Sequence, residues 1–244
     1  MIGFFPDVGA SHFLNRLPGR LGVCCALTGL RLSGREVRDV GLATHYIETT
    51  QLPALQERLQ GLGTAASSLD AVANALREHE SPVMLSPPPE GSIMTKLPLI
   101  DAWFGHDTVE DIDTALGAAA AAGGPAGALA ASLRSEMGRA APTALKVSLE
   151  ALRRARGLSL RECLRLEFRV VARFMQRGDF YEGVRALLLD KDQAPAWEPP
   201  TLAAVTPDAV AAFFAPLPEA DELALGPEPG APPQRPAQQR RARM

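Results

Sequence analysis

The stretch GFFPDVGASHFLNRLPG, residues 3–19, sets one carboxylate, Asp7, between a proline and a valine, with glycines at positions 3 and 9. A carboxylate held in a glycine-flanked loop can serve as a general base, activate water or orient a hydroxyl group. The same residue just ahead of a helix can instead accept a backbone N–H as an N-cap, a role worth about 1 kcal/mol. Both readings apply to Asp7. His12 and His45 carry the side chain that titrates nearest neutral pH, but no serine or cysteine motif accompanies either as a triad would require. Both therefore read as structural, and His79 and His106, in polar stretches, as solvent-facing. Cys24, Cys25 and Cys163 show neither metal-ligand spacing nor an even disulfide set, which leaves buried free thiols. In LLLDKDQ, Lys191 lies between two acids. Arg185 follows Glu182 by three residues, the spacing of an ion pair on one helix face.

The elements that must position these groups are almost all helical. Phe13, Leu14 and Leu17 recur at helical spacing until Pro18-Gly19 stops the run, and a second helix should cover Leu21 to Leu27, ended by Gly29. THYIE, Thr44 to Glu48, is β-branched and aromatic and is the best strand candidate. Two amphipathic helices should lie between Gln51 and Leu76 around GLGTAASS, followed by the proline-rich loop SPPPEG, Ser86 to Gly91. Further helices are expected over Ile93 to Phe104, Thr108 to Ala120, Ala126 to Met137, and Pro142 to Ala155. Ser159 and Glu162 have capping-box spacing and open the longest helix, with Leu160, Leu164, Phe168, Val171 and Met175 expected on its inner face. Asp179 and Glu182 repeat that spacing for a helix to about Leu189. Trp197 should pack the C-terminal extension against the core.

Composition narrows the class. A hydrophobic fraction of 46% and a charged fraction of 22% are those of an ordinary globular chain. A net charge of -3 gives no general attraction to nucleic acid or an anionic membrane. No apolar run approaches the roughly 20 residues that span a bilayer, and the N-terminus lacks the pattern of a secretory or transit signal. The expectation is a soluble, cytoplasmic chain. From Gly226 on, GPEPGAPPQRPAQQRRARM has too little apolar surface to offset the entropy of ordering, so a disordered tail is expected over 226–244. Nearly strandless, opening on an acidic glycine-rich loop, the chain reads as the helical part of an α/β protein whose sheet lies elsewhere.

Three blocks resemble one family in order. IGFFPDVGASHFLNRLPGRLGVCCALTGLRLSGREVRDVGLATHYIE, APTALKVSLEALRRA and EFRVVARFMQRGDFYEGVRALLLDKDQAPAWEPP are similar to segments of 3-hydroxyisobutyryl-CoA hydrolases, members of the crotonase superfamily. The resemblance implies a mostly α chain, the helical C-terminal part of a crotonase-like α/β fold with few strands. Residues 1–50 would end the crotonase-like core with its acidic loop, 51–225 would form the helical region, and 226–244 the tail. It implies a catalytic role for Asp7, with Gly3, Phe5, Gly9 and Lys191 binding substrate, Lys191 at a CoA phosphate. In the family a glutamate shares the catalysis. By the family's spacing its place falls before Met1, together with the oxyanion-hole segment, so a truncated enzyme is expected. No metal or redox cofactor is implied; coenzyme A is part of the substrate, and the reaction would be a step of valine catabolism. The stretch between His45 and Pro142 is longer than enoyl-CoA hydratases have there, which favours the hydrolase over the hydratase or isomerase. The third alternative is a non-catalytic helical module that binds a partner, or a second copy, through the surface left uncovered. Neither nucleic acid nor membrane is expected as a partner.

Overall fold

The structure, a computed structural model, describes residues 2–226. Twelve α-helices are found among the described residues, and no strand. Three short ones come first: α1 (Ala10–Leu14), α2 (Leu21–Thr28) and α3 (Gly34–Asp39). Then follow α4 (Leu52–Gln60), α5 (Leu69–Glu78), α6 (Ile93–Phe104), α7 (Val109–Ala122) and α8 (Gly124–Gly138). The last four are α9 (Pro142–Arg154), α10 (Leu160–Phe174), α11 (Gly178–Val184) and α12 (Pro207–Ala212).

Helix α9 is the hub. Pro142 at its first turn gives up an N–H that would be unpaired there anyway and presets φ for the helix. Most of its residues are buried, and Lys146, Glu150, Arg153 and Arg154 form its one charged stripe. Leu145, Leu149 and Leu152 face one cluster with Leu21, Leu27, Ile100, Phe104, Ile112, Leu116, Leu133 and Met137. Ala144, Val147 and Ala151 face a second cluster with Phe5, Val170, Phe174, Val210 and Phe213. Segment 1–50 therefore shares a core with the helical region, because α2 packs into the cluster that α6, α7, α8 and α9 build. Among the described residues no helix is long and apolar enough to cross a membrane.

Two expectations need correction. Thr44–Glu48 forms no strand: the segment is extended and pinned by single bonds, Ser81 N–H to the Tyr46 carbonyl at 2.8 Å and Ser81 Oγ to Glu48 at 3.0 Å. Strand propensity expresses itself only against a partner strand, and none is found among the described residues. On α10 the inner face lies one residue earlier than the apolar stripe. Cys163, Glu167, Val170 and Phe174 are buried, while Leu160 and Phe168 are 47% and 37% exposed. One residue turns a helix by about 100°, so the Leu/Phe stripe flanks the interface rather than centring on it. The expected tail lies almost wholly outside the described residues.

Candidate functional site

The N-terminal segment runs as an extended strap over α10 and α11. Gly3 has φ 66, and a Cβ there would overlap the Asp179 carbonyl and meet the Trp197 ring; a Cβ on Gly183 would overlap the backbone of Ile2. Only glycine at both positions lets strap and helix backbones touch. Phe5 is buried and stacks on Phe174 at 5.6 Å, and Phe4 lies 5.2 Å from both Phe174 and Phe180. Trp197 leans on the strap and donates to the Arg139 carbonyl at 3.3 Å, which packs the C-terminal extension against the core as expected.

The strap then turns. Val8, 82% exposed, has φ 53, a genuine outlier for a β-branched residue. Gly9 follows at φ 88 and is the N-cap of α1. Asp7 is therefore not the expected N-cap: its carbonyl accepts from Ala10 N–H at 3.0 Å, and no side chain caps α1. The Asp7 side chain is half-buried and takes no hydrogen bond or ion pair among the described residues. Behind the turn stands Glu167, 2% exposed. It accepts Gly9 N–H at 2.6 Å, Ser11 N–H at 2.9 Å and the Ser11 hydroxyl at 2.6 Å. Asn15 ties α1 to α9 by donating to the carbonyls of Ser11 and Leu152, both at 2.8 Å.

The other expected site residues are spread out. Gly3 and Phe5 sit in the packed strap and Gly9 in the turn. Lys191 lies on an exposed loop with φ 58 and makes no hydrogen bond or ion pair among the described residues. Its neighbours Asp190 and Asp192 each meet Arg185 at 2.6 Å, and Glu182 meets Arg185 at 2.8 Å. That guanidinium, with the Ala196 N–H, holds the Glu182 carboxyl down at about 2. Nearby, Gly183, Ala186, Leu187, Gln193 and Trp197 line a groove of about 600 Å³ that Asp7 does not line.

Asp179 and Glu182 do not form the expected cap. Arg177 is the N-cap of α11, and Asp179 is buried with its Oδ1 accepting Glu198 N–H at 2.8 Å. Burial pushes the Asp179 carboxyl up. The helix passes at Arg185 into a π-helical turn, Arg185–Leu189. Among the described residues His45 meets only Thr44, at 2.9 Å; His79 caps α5 through its contact with the Ala75 carbonyl and is half-buried rather than solvent-facing. All three cysteines are free; burial pushes the Cys24 thiol up to about 12 and Cys25 to about 11. Cys25 is only half-buried. No group of three or more His, Cys, Asp or Glu among the described residues is placed to hold a metal.

Glu167 is the site residue that sequence reading misses. It occupies an inward position in the register of Cys163, Val170 and Phe174, and a charged residue in such a register was the available signal.

The family pattern described as enoyl-CoA hydratase/isomerase matches residues 1–214. The Arabidopsis thaliana small ribosomal subunit protein mS47 is 40% identical over 225 residues, 91% of this chain and 53% of that protein. The mitochondrial 3-hydroxyisobutyryl-CoA hydrolase of Danio rerio is 36% identical over 220 residues, 90% of this chain and 56% of the relative. A carnitinyl-CoA dehydratase from Mycobacterium thermoresistibile superposes with a TM-score of 0.74 at 36% identity, covering 88% of this chain and 57% of that one. An enoyl-CoA hydratase from Rhodobacter sphaeroides gives 0.73 at 32%, covering 92% and 59%. The chain thus spans about half the length of the relatives it matches. It belongs to the enoyl-CoA hydratase/isomerase family.

Proposed function

We propose that this chain carries the Asp7 carboxylate of a 3-hydroxyisobutyryl-CoA hydrolase. In that reaction water adds its oxygen to the acyl carbon, the C–S bond breaks, and CoA leaves as the thiol; the acid product is 3-hydroxyisobutyrate, as in valine catabolism. The observation that carries the reading is the presentation of Asp7: a half-buried carboxylate on a braced turn, with no partner among the described residues and so available to a substrate hydroxyl or the attacking water. Relatives bearing the hydrolase name support the choice of reaction.

Thioester hydrolysis also calls for oxyanion donors and, in this family, a second acid. The N–H groups of Gly9, Ala10 and Ser11 are already engaged by Glu167 and Asp7. On this reading those further groups come from chain outside the described residues. Gly3 and Phe5 back the acyl pocket, Gly9 makes the turn, and Lys191 meets a CoA phosphate while its acidic neighbours are drawn to Arg185.

The test joins this chain to the part of the Danio rerio hydrolase that it does not match. The expected outcome is release of free thiol from 3-hydroxyisobutyryl-CoA without hydration of an enoyl-CoA; hydration without thiol release would make it a hydratase. The ribosomal relative favours a second reading, a non-catalytic helical module that binds a partner or itself. Val8, Leu160 and Phe13, 82%, 47% and 38% exposed, would serve such a contact. Concentration-dependent association in sedimentation, lost in Val8→Asp, would support it.

A further inference from the structure

We infer that Glu167 is a positioning residue: a buried carboxylate on α10 that fixes the turn presenting Asp7. Its meaning for catalysis rests on the hydrolase reading; its action on the turn does not.

A carboxylate withdrawn from water is costly unless its oxygens are hydrogen-bonded. Glu167, 2% exposed, forms no ion pair among the described residues and is satisfied by three donors, all from residues 9–11. None of the three belongs to its own helix or to the core beside it. An apolar residue at this inward position of α10 would leave the buried Gly9 and Ser11 N–H groups and the Ser11 hydroxyl without their acceptor. The carboxylate therefore reports a requirement of the turn rather than of the core.

The turn needs that hold. Val8 and Gly9 are consecutive residues at positive φ, and Val8, 82% exposed, gains no packing for it. A β-branched residue at such an angle persists only when its surroundings over-determine it. On the N-terminal side the strap is fixed by the close approaches at Gly3 and Gly183. On the C-terminal side Glu167 grips Gly9 and Ser11. Pro6, Asp7 and Val8 project between two anchors that hold the backbone and leave the Asp7 carboxylate untouched. Charge-assisted bonds to two N–H groups two residues apart fix orientation as well as distance.

Glu167→Gln tests this. The amide keeps the size of the acid but turns one acceptor into a donor facing an N–H. In backbone NMR of the wild-type chain, the Gly9 and Ser11 amide protons should resonate far downfield. In Glu167→Gln they should move upfield, and their exchange protection should fall by about tenfold to a hundredfold. The Asp7 carboxyl carbon should shift or broaden while α7 and α8 amides stay in place. Unchanged Gly9 and Ser11 signals, or an unchanged Asp7 carbon, would overturn the inference. Should Glu167→Gln not fold, Ser11→Ala removes one donor: reduced protection at Gly9 is then expected, and unaltered protection overturns the inference. In the chimeric enzyme, Glu167→Gln should lower kcat with KM unchanged. An inactive chimera before mutation would sink the hydrolase reading while leaving the NMR result to decide the role of Glu167.

Discussion

Two buried carboxylates on neighbouring helices meet their burial in opposite ways. Glu167 collects three donors, whereas Asp179 accepts one backbone N–H and is pushed up by burial. The sign of the consequence follows from linkage. A carboxyl whose folded pKa lies above its unfolded value holds protons more tightly in the native state, so its ionisation removes stability as pH rises through that window. Asp179→Asn keeps an acceptor for Glu198 N–H and cannot ionise. Its thermal midpoint should equal or exceed that of the wild type at pH 7, and the difference should close as pH falls into the carboxylate range. Of these two acids, sequence showed only Asp179, and as a cap. Spacing to Glu182 suggested a capping box; burial depends on the strap crossing α11, which no local pattern encodes. Glu167 was hidden for a related reason, since the Leu and Phe stripe one residue away looked like the inner face.

Helix ends, by contrast, were legible, because their signals are local. The Ser159–Glu162 capping box is present: Ser159 Oγ accepts Glu162 N–H at 3.3 Å, and Glu162 accepts Ser159 N–H at 2.8 Å. Ser159→Ala should cost about 1 kcal/mol in chemical denaturation. The bonds from Ser159 hold the Glu162 carboxyl below its usual range. Its contribution to stability is therefore present at neutral pH and is lost as pH falls through the acidic range. Wild type and Glu162→Gln should differ most near pH 7 and converge under acid, and a constant difference would contradict the assignment. The Pro142 start of α9 and the Gly29 stop after α2 rest on the same kind of local signal. THYIE failed because a strand is a property of a pair, and its expected partner strands are not among the described residues.

At the scale of the molecule, the strap, α10 and α12 meet at one ring. Phe174, fully buried, lies 4.7 Å from Phe213 as well as against Phe4 and Phe5. Phe174→Ala should destabilise the chain by about 3–5 kcal/mol, read from the denaturation midpoint. Helix number and order were largely recoverable from periodicity, but the central place of α9 was not. The apolar positions of α9 announce burial without naming which neighbours bury them. The candidate site was legible where it lies in one stretch, at Gly3, Asp7 and Gly9, and illegible where it depends on a residue that is 158 positions away from Gly9. On the proposed function, Asp7 is a working carboxylate of a CoA-thioester hydrolase. CoA release from 3-hydroxyisobutyryl-CoA by the chimera with the Danio rerio hydrolase, with and without Asp7→Asn, measures it most directly. Release should fall at least about a hundredfold in Asp7→Asn. Release that is indifferent to Asp7→Asn, or a folded chimera that releases none, would contradict it.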